Sequence, residues 1–481
     1  MKKEQGDKER VHWTVCISCH GLGKKNKGPR KKAKLTKQIP VHSAGGKGHL
    51  SSYLHACSTC GGSGIVPAPF PPTPTAKYPH VAIIGGGIGG MALAVACLHR
   101  GIPFTMFERD ENLDARSQGY GLTLQQASKA LKDFGLLTLE EQVVSTKHVV
   151  HQTDGKVLGS WGFRKWQLLA PNTSPKKCNI HIARQSLRFA LFNQLGEQPK
   201  VKWGHQLLDY NSVATDEIEL TFRVNGVLKK EKANLVVGAD GIRSAVRRLS
   251  MGDEVTPLHY LGCMVILGIC PLAAVKDLTT STLLDATTVF QTANGQDRIY
   301  MMPYTHDSMM WQLSFPMEEK EAIALAQLGG EALLAEASRR TPWHDPIPQL
   351  VQATLPVKIS GYPVYDRALL TPENWKENDA ITLLGDAAHP MSPFKGQGAN
   401  QALLDALLLA RMITKGCAAT PWREKGLRTA VLNDFEAAMF TRSAEKVKGS
   451  AQAAQLLHST FVLEECDQPR GSAVKSKKHN I

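Results

Sequence analysis

An apolar run of strand character, VAII, ends in GGGIGG and passes directly into the helix-forming run MALAVACLHR, residues 81–100. Gly85, Gly87 and Gly90 therefore form G-x-G-x-x-G at a strand-to-helix junction, the context in which this pattern signals dinucleotide binding. The first glycine permits a tight turn, the second lets backbone approach a pyrophosphate, and the third lets helix pack closely on strand. The helix N-terminus adds free amides and the positive end of its dipole. A second strand, IPFTMFERD, brings Glu108 to a position 23 residues beyond Gly85, where an acid accepts hydrogen bonds from a ribose, with Arg109 beside it. A chain committed to this βαβ unit is of α/β class.

The unit does not begin at the N-terminus. The formal charge is +14, and residues 1–77 hold fourteen Lys and Arg against three acids, which leaves only +3 for the other 404 residues. Residues 1–66 are basic and polar, with too few core-forming side chains to fold by burial alone. VPAPFPPTPTAKYP, residues 66–79, has six prolines and reads as an extended linker. No apolar stretch reaches the roughly 18 residues of a membrane span, and MKKEQGDKERVHW lacks the apolar core of a signal peptide, so a cytoplasmic chain is expected.

Beyond the βαβ unit, helical patterns follow at 125–136 and 184–195, and strands at 201–209, 217–224 and 233–239. Residues 258–315 hold two apolar runs rich in β-formers, which predict a largely antiparallel sheet. VVHQTDGKVLGSWGF at 149–163 has an Asp154-Gly155 turn between strand-like flanks and is expected to join it. A buried strand at ITLLGD, a long helix from about Gly398 to Thr414 and a further helix from Pro421 to about His458 complete the pattern. The basic tail GSAVKSKKHNI is expected to be disordered.

Two further segments carry a resemblance. NLVVGADGIRSAVRR (234–248) resembles the DG segment, and ITLLGDAAHPMSPFKGQGANQALLDALLLA (381–410) the GD segment, of the single-component, group A, FAD-dependent aromatic hydroxylases. That family includes salicylate hydroxylase, zeaxanthin epoxidase and tetracycline-inactivating monooxygenases, and with HIARQSLRFAL the likeness covers about residues 80–455. The resemblance implies a GR2-type Rossmann-like FAD domain (80–250 and 375–416, with 149–171 reaching into the substrate sheet). It also implies an inserted, mainly antiparallel substrate sheet (251–374) and a C-terminal helix and tail (417–481). Cofactor-binding residues carried over are Gly85, Gly87, Gly90, Glu108, Arg109, Arg184, Asp240, Asp386, Pro393, Gly396, Gly398 and Asn400. Asp386 follows a buried strand, where ribityl or ribose hydroxyls would satisfy an otherwise costly carboxylate. Amides around Gly396 to Asn400 open a helix and suit the negative charge of a reduced flavin.

The implied chemistry is FAD reduced by NADH or NADPH, reaction with O2 to a C4a-hydroperoxide, and oxygen transfer to an aromatic or polycyclic molecule. No protein nucleophile is required. Met264, Met301, Met302, Tyr304 and Trp311 are candidate pocket residues with core packing as the other reading, and His181 and His389 are candidate bases toward a phenol. The C-terminal helix either caps the pocket or packs on the FAD domain. A reductase or epoxidase of the same fold, or a redox-controlled binding module, are the alternatives. WGFRKW at 161–166 does not match the Trp-x-Trp-x-Ile of halogenases.

VCISCHGLG and CSTCGGSG repeat C-x-x-C-x-G-x-G, with Cys16 and Cys19 in the first and Cys57 and Cys60 in the second. Four thiolates suit one structural, tetrahedral zinc, with a reversible disulfide the other chemistry open to such pairs. The pattern resembles half of the cysteine-rich domain of DnaJ-type chaperones; His20 and the basic insert at 24–38 depart from it. The insert lacks the aromatic interleaving of a nucleic-acid surface and reads as a solvated loop. The segment's separateness suggests that the zinc domain (1–66), joined by the linker (67–79), recruits a protein partner.

Overall fold

A computed structural model describes residues 11–26, 54–115, 119–164, 179–196, 201–275, 281–375, 380–419 and 422–469. Most of the basic insert, the end of the 149–171 segment and the C-terminal tail lie outside the described residues.

Five parallel strands form the dinucleotide-binding sheet in the order Val201–Lys202, Phe104–Phe107, Val81–Ile84, Leu235–Gly238 and Ile381–Leu383. Their central members are apolar throughout because both faces are covered. The helix Ile88–Leu98 and the helix Gly398–Ala419 pack together on the sheet in the main core. An antiparallel meander, Gln206–Ala214, Glu217–Val224 and Val227–Ala233, closes the other side, with Phe222 stacked on Phe107 at 4.3 Å.

The second sheet has seven strands, ordered Val157–Trp161, Lys147–Gln152, Thr288–Ala293, Arg298–Thr305, Ser308–Pro316, Leu258–Pro271 and Ile359–Arg367. Only the pairing of Lys147–Gln152 with Thr288–Ala293 is parallel, so the expected hairpin at 149–163 does join a mainly antiparallel sheet. Helices Gly330–Arg340 and Ile347–Gln352 cover its back. Its front faces the three-stranded sheet Gly121–Leu124, Asn179–Ala183 and Val143–Ser145, with Gly121 packed against Met302 and Met310.

The last long helix, Asn433–Leu457, packs on the FAD domain and also on the second sheet. Phe435 and Met439 enter the main core, whereas Ala453 and Leu457 pack with Ala293 of the second sheet.

The proline-rich segment corrects the linker boundary. Ile65–Ala68 is a strand paired with His12–Val15, so the first residues of the segment belong to the N-terminal module. The remainder is not a spacer, because Thr75 N–H donates to Gly101 O at 3.0 Å and lays the chain along the main domain. The N-terminal module is docked as well. Lys132 Nζ donates to Gly61 O (2.6 Å), Arg411 Nη2 to Ser63 O (3.0 Å), and Trp13 lies so close to Gly135 that a Cβ there would stand 2.4 Å from its indole nitrogen.

Candidate functional site

Gly85 adopts φ +108°, and a Cβ on it would lie 2.5 Å from Ala239 O; one on Gly90 would lie 1.9 Å from Gly85 O. Both are therefore required by the protein's own packing. Gly87 differs: a Cβ there would meet nothing nearer than Ala239 O at 4.0 Å. Its open side faces the start of helix Ile88–Leu98, which has no side-chain cap, so its first amides are left for a ligand. Glu108 Oε2 accepts from Gly86 N–H (2.6 Å) and Oε1 from Asp110 N–H (3.0 Å), which fixes the carboxylate at the strand end. Arg188, 3% exposed, donates from Nε to Gly86 O (2.7 Å) and from Nη1 to Leu113 O (2.9 Å).

Asp386 lies close enough to Tyr120 for its charge to act on the phenol. Both keep exposed surface, yet surrounding protein desolvates them enough to push both pKa values up, and Arg184 pulls each back. Arg184 lies over the Tyr120 ring, 6.0 Å from its centroid, and its backbone N–H donates to Tyr120 O. A Cβ on Gly398, at the start of its helix, would stand 3.4 Å from Asp386 Oδ1. Gly396, at φ +58°, turns the chain into that helix against Thr123.

These features fit a bound dinucleotide: an open glycine and uncapped amides for phosphates, and an exposed acid beside the start of helix Gly398–Ala419 for hydroxyls. A family profile described as FAD binding domain matches residues 78–420. The aurachin C monooxygenase/isomerase of Stigmatella aurantiaca is 29% identical over 381 residues, covering 75% of this chain and 88% of that protein. In fold, the chain resembles Klebsiella pneumoniae HpxO complexed with FAD and uric acid (TM-score 0.64, 18% identity, 84% of this chain and 93% of that one). It also resembles 2,6-dihydroxypyridine-3-hydroxylase from Arthrobacter nicotinovorans (TM-score 0.65, 17% identity, 82% and 99%).

The chain belongs to the FAD-binding domain family. It is an FAD-dependent oxidoreductase of the monooxygenase kind.

Within this flavoprotein, several predicted residues hold the site's frame rather than line it. Asn400 is fully buried; its Oδ1 accepts from Gln125 and Ala127 N–H, and its Nδ2 donates to Thr123 O and Gly396 O. Asp240 lies against Gly85, and its carboxylate accepts from the Ala245 N–H (2.7 Å) and the Ser244 hydroxyl, so it anchors helix Ala245–Met251. Pro393 opens the turn that Gly396 N–H closes at 3.0 Å, and Arg109 is exposed.

The two histidines are withdrawn as bases. His181 is 0% exposed, its Nδ1 bonded to Thr123 Oγ at 3.1 Å, and burial pushes its pKa down to about 3, so it stays neutral and out of reach. His389 Nε2 lies 2.6 Å from Asp405 Oδ2; Asp405 also accepts from Gly385 N–H and from Arg442. This buried network ties the GD loop to two helices.

Strand register corrects the pocket. Met264, Met301 and Trp311 point to the back of the seven-stranded sheet, into the core beneath Leu333, Ala337 and Leu350, where Trp311 Nε1 donates to Thr354 Oγ1 at 2.8 Å. Met302 and Tyr304 point to the front: a Cβ on Gly121 would lie 2.7 Å from Met302 Cε, and one on Gly119 3.6 Å from the Tyr304 hydroxyl. Tyr120, Tyr300 and Arg188 were missed. Arg188 was findable, since it stands one helical turn after Arg184; Tyr120 sits in a glycine-flanked loop with no pattern.

The four cysteine sulfurs of the N-terminal module lie within 4.8 Å of one another, with Cys16–Cys57 at 4.0 Å and Cys19–Cys60 at 3.7 Å. Tetrahedral zinc at ~2.3 Å per thiolate requires sulfurs ~3.8 Å apart, so the donor set fits. A disulfide, at ~2.05 Å, is not formed. The knuckles mirror each other: Gly23 N–H points at Cys19 Sγ and Gly64 N–H at Cys60 Sγ, both at 3.2 Å, and Cys16 and Cys57 N–H donate to Gly64 O and Gly23 O.

Proposed function

We propose that the chain is an NAD(P)H- and O2-consuming monooxygenase that hydroxylates an aromatic or polycyclic small molecule, with a single structural zinc held by Cys16, Cys19, Cys57 and Cys60. The observation that carries this reading is the convergence of Asp386 and Tyr120 with the Gly396–Gly398 turn, which packs against Thr123 beside the seven-stranded sheet. FAD bound there supplies two-electron reduction by NAD(P)H and activation of O2. The chain's own tasks are to hold the ring at the N-terminus of helix Gly398–Ala419, whose dipole favours negative charge, and to seat an aromatic substrate at the front of the seven-stranded sheet, where Tyr300 and Tyr304 keep exposed surface. The helix Asn433–Leu457 closes the far end and excludes water.

In support, one solved protein of this fold is described in complex with uric acid and another is named for a dihydroxypyridine, both planar heteroaromatics. Purified protein is expected to carry FAD and about one zinc per chain, and to oxidise NADH or NADPH faster when an aromatic substrate from a screened panel is present, with one oxygen atom of labelled O2 in the product. Failure to take up FAD would overturn the reading.

A further inference from the structure

The four knuckle cysteines differ in access. Cys16, Cys19 and Cys57 are buried, whereas Cys60 keeps part of its surface exposed. Its sulfur lies 3.7 Å from Cys19 Sγ, a contact that crosses from one knuckle to the other. A disulfide is about 2.05 Å long, so the two sulfurs stand about 1.7 Å from bonding distance. Gly64 N–H points at Cys60 Sγ and Gly23 N–H at Cys19 Sγ, both at 3.2 Å, which fixes the pair in matching positions. The setting of Cys60 is cationic. Lys132 Nζ donates to Gly61 O at 2.6 Å and Arg411 Nη2 to Ser63 O at 3.0 Å, while the Ser63 hydroxyl donates to Cys60 O at 2.9 Å. Asp133, the acid at this contact, is already paired with Arg411 at 3.1 Å. A partly exposed cysteine flanked by cations is the kind that oxidants reach first.

Both cations that grip this knuckle belong to the FAD domain. Arg411 lies on helix Gly398–Ala419, whose first residue stands beside Asp386. Lys132 lies on the short helical segment Ala127–Phe134, and the N–H of Ala127 donates to Asn400 Oδ1 in the first turn of that same helix. Two routes therefore run from residues 61–63 to the turn at Gly396–Asn400. The knuckles are also pinned to each other, because Cys57 N–H donates to Gly23 O and a Cβ on Gly23 would stand 2.2 Å from Gly62 O. Drawing Cys60 toward Cys19 cannot leave the carbonyls of Gly61 and Ser63 where Lys132 and Arg411 now hold them.

We propose that Cys60 and Cys19 form a peroxide-reactive thiol pair whose oxidation weakens FAD binding. This rests on the cysteine site described above and adds a second chemistry to it. The oxidant is a hydroperoxide, of which the simplest is H2O2, the product of O2 reduction uncoupled from substrate. The Cys60 sulfur attacks one peroxide oxygen, the O–O bond breaks, and hydroxide leaves to take a proton as water. The Cys19 sulfur then attacks the sulfenic sulfur of Cys60, forming the S–S bond and expelling a second hydroxide. Two thiolates lose two electrons, H2O2 gains them, and two protons from solvent complete two waters. A metal held by the four sulfurs loses two ligands in the same step.

The test treats the full-length flavoprotein with stoichiometric H2O2, in a Cys466→Ala background that removes another partly exposed thiol. Non-reducing peptide mapping identifies the bonds formed, a chromogenic chelator reads released metal, and flavin fluorescence gives the FAD dissociation constant. The bond joining Cys19 to Cys60 is expected to form first. The FAD dissociation constant should rise by about tenfold or more, a coupling of ordinary size, and return after a dithiol reductant and zinc are added. In Cys60→Ser, peroxide should leave the knuckles without a disulfide and FAD affinity unchanged. If Cys60→Ser does not fold, Arg411→Met decides: the disulfide should form as in the wild type, with a smaller change in FAD affinity. A first disulfide between any other two cysteines overturns the pair, as does sulfinic acid at Cys60 with no disulfide. The expected bond with FAD affinity unchanged overturns the coupling. The peroxide is added, so neither turnover nor bound metal is needed. Failure of the monooxygenase or zinc reading is seen separately, in NAD(P)H oxidation and in metal content.

Discussion

Arg411 donates to the carbonyl of Ser63 at 3.0 Å and to Asp133 Oδ2 at 3.1 Å. The helix whose first turn stands beside Asp386 is therefore bound, further along, to the second cysteine knuckle. A Cβ on Gly23 would meet both Gly62 O and the Arg411 guanidinium, so the two knuckles and the helix share one packed contact. The N-terminal module is thus part of the oxidoreductase's frame, which changes what its loss should do.

If the proposed zinc is bound, its chelation, like Cys57→Ser, is expected to lower the melting temperature of the whole flavoprotein by about 5 °C or more and to release FAD earlier on heating. Arg411→Met should cost about 2 kcal/mol through its lost charged hydrogen bonds. Thermal melts followed by flavin fluorescence check both. A metal-free protein that melts and holds FAD unchanged would show the docking to be energetically idle.

The glycines of the dinucleotide loop should separate folding from binding. Gly90→Ala forces a Cβ to within 1.9 Å of Gly85 O and is expected to destabilise the chain by about 3 kcal/mol or more even without cofactor. Gly87→Ala meets only open space in the protein, so the apoprotein should melt normally while FAD affinity falls at least tenfold. Apoprotein melts and FAD titrations distinguish the two.

Asp405 is fully buried between His389 and Arg442. Asp405→Asn leaves the Arg442 charge without its anion, and its single acceptor oxygen cannot serve both Arg442 and His389, at an expected cost of about 3–5 kcal/mol. His389→Asn keeps the arginine pair and should cost less. Denaturant unfolding of both variants measures the difference; a larger loss for His389→Asn would contradict the network described.

Burial pushes His148, His151 and His458 down from 6.5 to about 4. A depressed histidine favours its neutral form in the folded state, so its contribution is complete above about pH 6.5 and is lost as pH falls toward about 4. Each adds about 1.4 kcal/mol of lost stability per pH unit inside that window. Stability measured from pH 7 to 4.5 should fall accordingly, and the slope should flatten in His458→Gln, which has no proton to gain.

What the sequence determined by itself is what is local. The G-x-G-x-x-G loop, the GD turn and the paired knuckles are contiguous, and their glycines are required by backbone geometry that short stretches encode: Gly21, Gly23, Gly62 and Gly64 all take positive φ, as Gly85 and Gly396 do. The α/β class, the joining hairpin at 149–163 and the long helix after the GD turn followed from the same kind of signal.

Only the tertiary structure decided which side of a strand faces the flavin. Along Arg298–Thr305 and Ser308–Pro316 both faces are buried, one under helices and one over the cleft, so apolar residues occupy odd and even positions alike and the two-residue period carries no information. Met301 and Met302 are indistinguishable in sequence and lie on opposite sides. The docking of the cysteine module was equally illegible, because its contacts join Ser63 to Arg411 and Gly61 to Lys132 across long separations that no local pattern records.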